Sequence, residues 1–144
     1  MQSFPHTYVA SAAGSTTGHL SVQADGLPNL STAPPAEFDG PGDQWSPETL
    51  LMSSLASCFV LSFRAVSAAS KFEWVSISCE SSGVLDRVEK VTRFTMVTHH
   101  VRLQVNSQAD AERAEKMLHK AESVCLISNS LSTEVHLNIE IEVE

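Results

Sequence analysis

The chain has 144 residues, of which 42% are hydrophobic and 18% charged, so it is neither a disordered segment nor a low-complexity one. The length suits one domain, residues 1–144, with a core of its own. With 9 Lys and Arg against 17 Asp and Glu, the net charge is −8, which argues against nucleic acid and against an anionic membrane surface.

Charge is unevenly spread: no Lys or Arg precedes Arg64. The start has no basic segment followed by an apolar run, so no secretory leader is expected. Three Cys without a framework spacing do not resemble a secreted disulfide scaffold. The expectation is a soluble, cytoplasmic protein.

Residues 4–12 and 19–24 flank Gly14-Ser15-Thr16-Thr17-Gly18 and predict two strands around a turn, with Asp25-Gly26 as a second turn. Residues 28–45, rich in Pro, Gly and Asp, predict a surface loop, long enough to be functional or packed against something. Ser46-Pro47-Glu48 is a helix start: Ser caps, Pro fits the first position, and Glu complements the positive dipole end. The helix, 46–70, carries Leu50, Leu51, Leu55, Val60, Leu61, Phe63 and Val66 among small residues on every face. Such a helix is buried all round, more than one subunit of this size can cover. Its uncharged stretch Thr49–Phe63 reads as too short and too rich in Ser to span a bilayer.

After Phe72 the period becomes two, with Val75, Ile77 and Cys79 on one face. Val91–Val105 predicts another long strand. Ser107 with Asp110 resembles a capping box, opening a helix whose inner face is Ala111, Ala114, Leu118 and Ala121. The Glu112–Lys120 run is its solvated side. Val135, Leu137, Ile139, Ile141 and Val143 alternate with polar residues in a final strand. The order implies an α+β fold.

The chemistry lies with three thiols. Cys58 stands mid-helix in Leu55-Ala56-Ser57-Cys58-Phe59, and Cys125 opens Cys125-Leu126-Ile127-Ser128-Asn129-Ser130. Each could be a small core residue, and strand parity already explains Cys79. His99 and His100 face opposite sides of their strand, so that strand cannot offer both to one metal. Neither a phosphate loop, a nucleophile elbow nor a dinucleotide fingerprint is present, and no cofactor or metal is expected.

Ser46-Pro47-Glu48-x-Leu50-Leu51 through Ala56-Ser57-Cys58-Phe59, with Cys125-x-Ile127-Ser128-Asn129-Ser130 much later, resembles the OsmC/Ohr family of thiol peroxidases. The resemblance covers essentially the whole chain. It implies strands forming a sheet that wraps the long central helix, in an intertwined homodimer. It also implies a peroxidatic Cys58, a resolving Cys125 and an orienting Glu48. The substrate would be an alkyl or lipid hydroperoxide, and the reductant a dithiol of lipoyl or thioredoxin type. A second reading is an OsmC-fold binding protein or redox sensor for an apolar ligand.

One family feature is absent. Family members activate the thiolate with an N-terminal Arg, but here Gly14 is followed by Ser15, and Glu37 stands before Phe38. The remaining basic candidates are His19, Arg64, Arg87, Arg93 and Arg102, with His19 preferred. Without that Arg, the Cys58 pKa is expected nearer that of an ordinary thiol. Helix geometry adds a constraint: Glu48 and Cys58, ten residues apart, lie about 15 Å apart along one helix axis. Glu48 would therefore serve the Cys58 of a partner helix packed antiparallel.

Overall fold

The computed structural model describes residues 1–144, which form two compact units, Met1–Leu51 and Met52–Glu144.

In the N-terminal unit, β1 (Ser11–Ala13), β2 (Leu20–Gln23) and β3 (Leu30–Thr32) form an antiparallel sheet in the order β1-β2-β3. The predicted hairpin is present, but its first strand begins at Ser11, and residues 4–10 lie outside the ladder. The predicted 28–45 loop also proves more structured than its composition implies. It contributes β3 and a 3₁₀ turn at Ala36–Phe38, and Ala33 N–H donates to the Trp45 carbonyl at 2.9 Å. Gly40 N–H donates to the Pro35 carbonyl at 3.0 Å, and any Cβ on Gly40 would strike the Pro34 carbonyl.

Helix α1 spans Pro47–Ala69. Its cap is reciprocal: Thr49 N–H donates to Ser46 Oγ at 3.1 Å, and Ser46 N–H donates to Thr49 Oγ1 at 2.9 Å. The expectation that this segment could not cross a bilayer was drawn too narrowly. The helix has 23 residues and is apolar enough by length and composition to do so. What gives it another role is the buried stripe Leu55, Phe59, Phe63 and Ser67. Within one chain Leu61 and Ala65 remain exposed, as expected of a helix that one subunit cannot cover.

The C-terminal unit is built on β4 (Ser76–Val88), β5 (Val91–Val105) and β6 (Val135–Val143). β5 is central, antiparallel to β4 and parallel to β6, so the predicted single sheet is in fact two three-stranded sheets. The β5–β6 crossover carries α2 (Gln108–Ser123) and a short α3 (Leu126–Asn129). Ser107 caps α2 by accepting from Asp110 N–H at 3.2 Å, as the motif predicts. Ala114, Leu118 and Ala121 are buried against Phe59, Phe63, Val101, Leu103 and Val105. Gly83 allows close approach of α1 to β4, because a Cβ there would meet Met52 at 2.8 Å. Period-two burial on β5 ends with Val97, His99, Val101, Leu103 and Val105 all facing inward. One member of that inward row is a histidine.

Candidate active site

Two thiols predicted from separate motifs meet in the C-terminal unit. Cys58 lies in the middle of α1, and Cys125 sits just before α3, where the chain turns after α2. The turn forms because Cys125 leaves the helical conformation at ψ 107 while its carbonyl accepts from Asn129 N–H at 3.0 Å. This brings the Cys125 thiol close enough to Cys58 for each to act on the other's ionisation, alongside the backbone of Leu126 and Ile127. Ser62, one turn further along α1, places its hydroxyl 4.0 Å from the Cys58 sulfur.

The two thiols are driven apart in acidity. Burial opposes ionisation of Cys58, but hydrogen bonds from the Ile127 backbone, Cys125, Ser62 and the Leu126 backbone prevail and hold it below its ordinary value. Every group that lowers it is a hydrogen-bond partner, and none is a cation. Cys125 is wholly buried, and burial, opposed by a backbone hydrogen bond at Ser128, combines with Cys58 and the Glu122 charge to push it up to about 11. The arrangement pairs a half-buried, acidified thiol with a buried, protonated one. Cys58 opens onto a recess of about 460 Å³ whose walls include Leu61, Ala65, Leu126 and Ile127.

The other predicted residues stand as follows. Glu48 lies in the first turn of α1, where its Oε1 is buried without a hydrogen-bond partner. His19 is an exposed residue of the N-terminal unit, with its Nδ1 3.3 Å from Ser31 Oγ. Arg102 is exposed and bound to Glu140 at 3.0 Å and Glu142 at 3.2 Å. Arg64, Arg87 and Arg93 are also exposed.

Sequence reasoning missed a buried polar chain beside the thiols. His99 and His100 do face opposite sides, and His99 is the inward one. Its Nδ1 lies 2.6 Å from Ser81 Oγ, and its Nε2 lies 3.5 Å from Glu122 Oε2. Glu122 Oε1 accepts from Ser128 Oγ at 2.6 Å. Burial opposes charging of His99, but Cys79 and Glu122, through hydrogen bonding and charge, raise it to about 9. Strand parity could have found it: His99 shares the inward row with Val97 and Val101.

The family model described as OsmC-like protein matches residues 40–140. The chain belongs to the OsmC-like family. Among its relatives is YmaD of Bacillus subtilis, 30% identical over 113 residues, covering 76% of this chain and 75% of YmaD. An OsmC-like protein from Vibrio cholerae superposes with a TM-score of 0.84 at 21% identity, over 94% of this chain and all (100%) of that one. An organic hydroperoxide resistance protein OsmC from Legionella pneumophila gives a TM-score of 0.78 at 29% identity, over 98% of this chain and 100% of the other. The OsmC-like fold thus carries the thiol pair at the junction of its central helix and the turn after α2.

Proposed function

We propose that this OsmC-like protein is a thiol-dependent peroxidase that reduces organic hydroperoxides. The observation that carries the reading is the contact between Cys58 and Cys125, with the first thiol acidified and the second held protonated. The Legionella relative's description as an organic hydroperoxide resistance protein supports the same substrate class.

In this reading the Cys58 thiolate attacks the terminal oxygen of the hydroperoxide. The O–O bond breaks, the alkoxide takes a proton and leaves as an alcohol, and Cys58 becomes a sulfenic acid. Oxidation removes the Cys58 charge that had raised Cys125. Cys125 then attacks the Cys58 sulfur; its proton joins the departing hydroxide as water, and a disulfide forms. A dithiol of lipoyl or thioredoxin type restores both thiols by exchange. The apolar recess at Cys58 favours alkyl or lipid peroxides over hydrogen peroxide. Free thiols and this chemistry suit the reducing cytoplasm.

The resemblance and the uncovered residues Leu61, Ala65 and Leu126 support a homodimer in which a second copy covers α1. Glu48 would orient the site of the partner chain, and His19 is the preferred N-terminal basic group. Stopped-flow mixing of reduced protein with cumene hydroperoxide and with hydrogen peroxide tests the proposal. Rapid, selective consumption of the organic peroxide that disappears in Cys58→Ser is expected. Equal, slow reaction with both peroxides would overturn it.

A further inference from the structure

The site's second thiol rests on a polar chain that its chemistry has not yet used. Glu122, at the end of α2, has its two carboxylate oxygens directed to different elements. Oε1 accepts from Ser128 Oγ at 2.6 Å, across the turn that carries Cys125. Oε2 faces His99 Nε2 on β5 at 3.5 Å, and both atoms are buried without another hydrogen-bond partner. At that distance the contact is an ionic one rather than a short charge-assisted hydrogen bond. On the far side, His99 Nδ1 is hydrogen-bonded to Ser81 Oγ at 2.6 Å. The Phe59 ring lies 5.1 Å from the imidazole, next in sequence to Cys58.

We infer that the His99–Glu122 pair, a buried imidazole facing a partly buried carboxylate, is a positioning device for the resolving thiol, fixing the Cys125–Ser128 turn against Cys58. The inference rests on the reading of Cys58 and Cys125 as a redox pair. A buried carboxylate oxygen with no partner would be costly, and the imidazole facing Oε2 offsets that cost beside the turn. The negative charge also discourages premature ionisation of Cys125, as burial and Cys58 do. The groups facing the pair are Cys79 from β4 and Cys125 from the turn, while α1 contributes the neutral Phe59 ring. The side chains of Ser128, Glu122 and His99 make no bond to either sulfur, only the Ser128 backbone reaches Cys125, and so they act by positioning that thiol.

Two substitutions separate the charge from the tether. Glu122→Gln retains an acceptor for Ser128 but removes the charge; Ser128→Ala removes the tether. In a Cys58→Ser, Cys79→Ala background, ultraviolet titration of the remaining thiolate reads Cys125 directly. Adding Glu122→Gln should move that titration down by on the order of one pH unit. In the otherwise native chain, diamide closes the Cys58–Cys125 disulfide without a hydroperoxide. Ser128→Ala should slow closure about tenfold or more, and Glu122→Gln should displace the pH profile of closure to lower pH. A Glu122→Gln titration superimposable on its parent, or Ser128→Ala closing at the native rate, would overturn the inference. Native protein that closes with diamide yet leaves cumene hydroperoxide untouched would instead sink the peroxidase reading and leave this one standing.

Discussion

Replacing His99 and Glu122 together by Gln removes the buried imidazole and its partly buried carboxylate partner while leaving polar groups of similar size. His99 is inaccessible to solvent, and its pKa rises from 6.5 to about 9 in the folded chain. At about 1.4 kcal/mol per pH unit, that rise is worth roughly 3 kcal/mol. Because the folded-state value lies above the unfolded one, the contribution is fully present below pH 6.5 and is lost as pH rises through 9. The native chain's stability margin over the double variant should therefore shrink by about 3 kcal/mol between about pH 6.5 and about pH 10. Urea unfolding of both proteins under reducing conditions at each pH measures the margin. Cys125, which the Glu122 charge raises, is replaced by Ser in both proteins so that its titration cancels in the difference. A margin constant to within about 0.5 kcal/mol would refute the raised pKa of His99.

Oxidation with one equivalent of diamide should give an intrachain Cys58–Cys125 disulfide and leave the half-buried Cys79, which strand parity had placed inward, as the free thiol. Peptide mapping that places Cys79 in the bridge would contradict this. A mixed dimer of a Glu48→Ala chain and a Cys58→Ser chain should retain one working site if Glu48 serves its partner's Cys58. Complete inactivity would place Glu48 in its own chain's site. Ser107→Ala should cost about 1 kcal/mol of stability in urea unfolding, because it removes the acceptor for Asp110 N–H; an unchanged midpoint would show that the cap contributes nothing.

Where sequence pattern and local chemistry agree, the fold was legible. Ser46-Pro47 opens α1, Ser107 with Asp110 opens α2, and alternation delimits β5 and β6. The errors have physical causes. β3 is three residues long inside a Pro-rich stretch, and it is held by ladder bonds that carry no periodic signal. α3 is a single turn, too short for helical periodicity to register. The thiols were visible as motifs, yet their opposite acidities come from a turn that sequence does not reveal. Glu122 lies just beyond the Glu112–Lys120 run, and nothing beside it in the sequence sets it apart. Its partly buried position depends on Ser128 folding back over the end of α2.

The same contact that divides the thiols sets how their disulfide is reopened. An incoming thiolate may attack either sulfur, and leaving-group acidity favours attack at Cys125, which would release the more acidic Cys58. Cys58 is held below its ordinary value, whereas burial and the Glu122 charge hold Cys125 above its own even without the Cys58 charge. Access favours the opposite choice: Cys125 is wholly buried, whereas Cys58 is half-buried and borders an open recess. Reaching Cys125 requires displacing the turn pinned by Ser128 and Glu122, including a hydrogen bond to a charged group worth about 1.5–3 kcal/mol. That cost corresponds to a roughly ten- to hundred-fold penalty, before any loss of packing. Access should therefore decide, so the reductant forms its mixed disulfide with Cys58 and expels Cys125, which takes up a proton as it leaves. Oxidised protein treated briefly with a monothiol, quenched with acid and mapped by peptide mass spectrometry should carry the adduct on Cys58. Ser128→Ala should divert part of it to Cys125. Adduct found predominantly on Cys125 in the native chain would show that leaving-group acidity governs reduction and that the turn opens more easily than its hydrogen bonds imply.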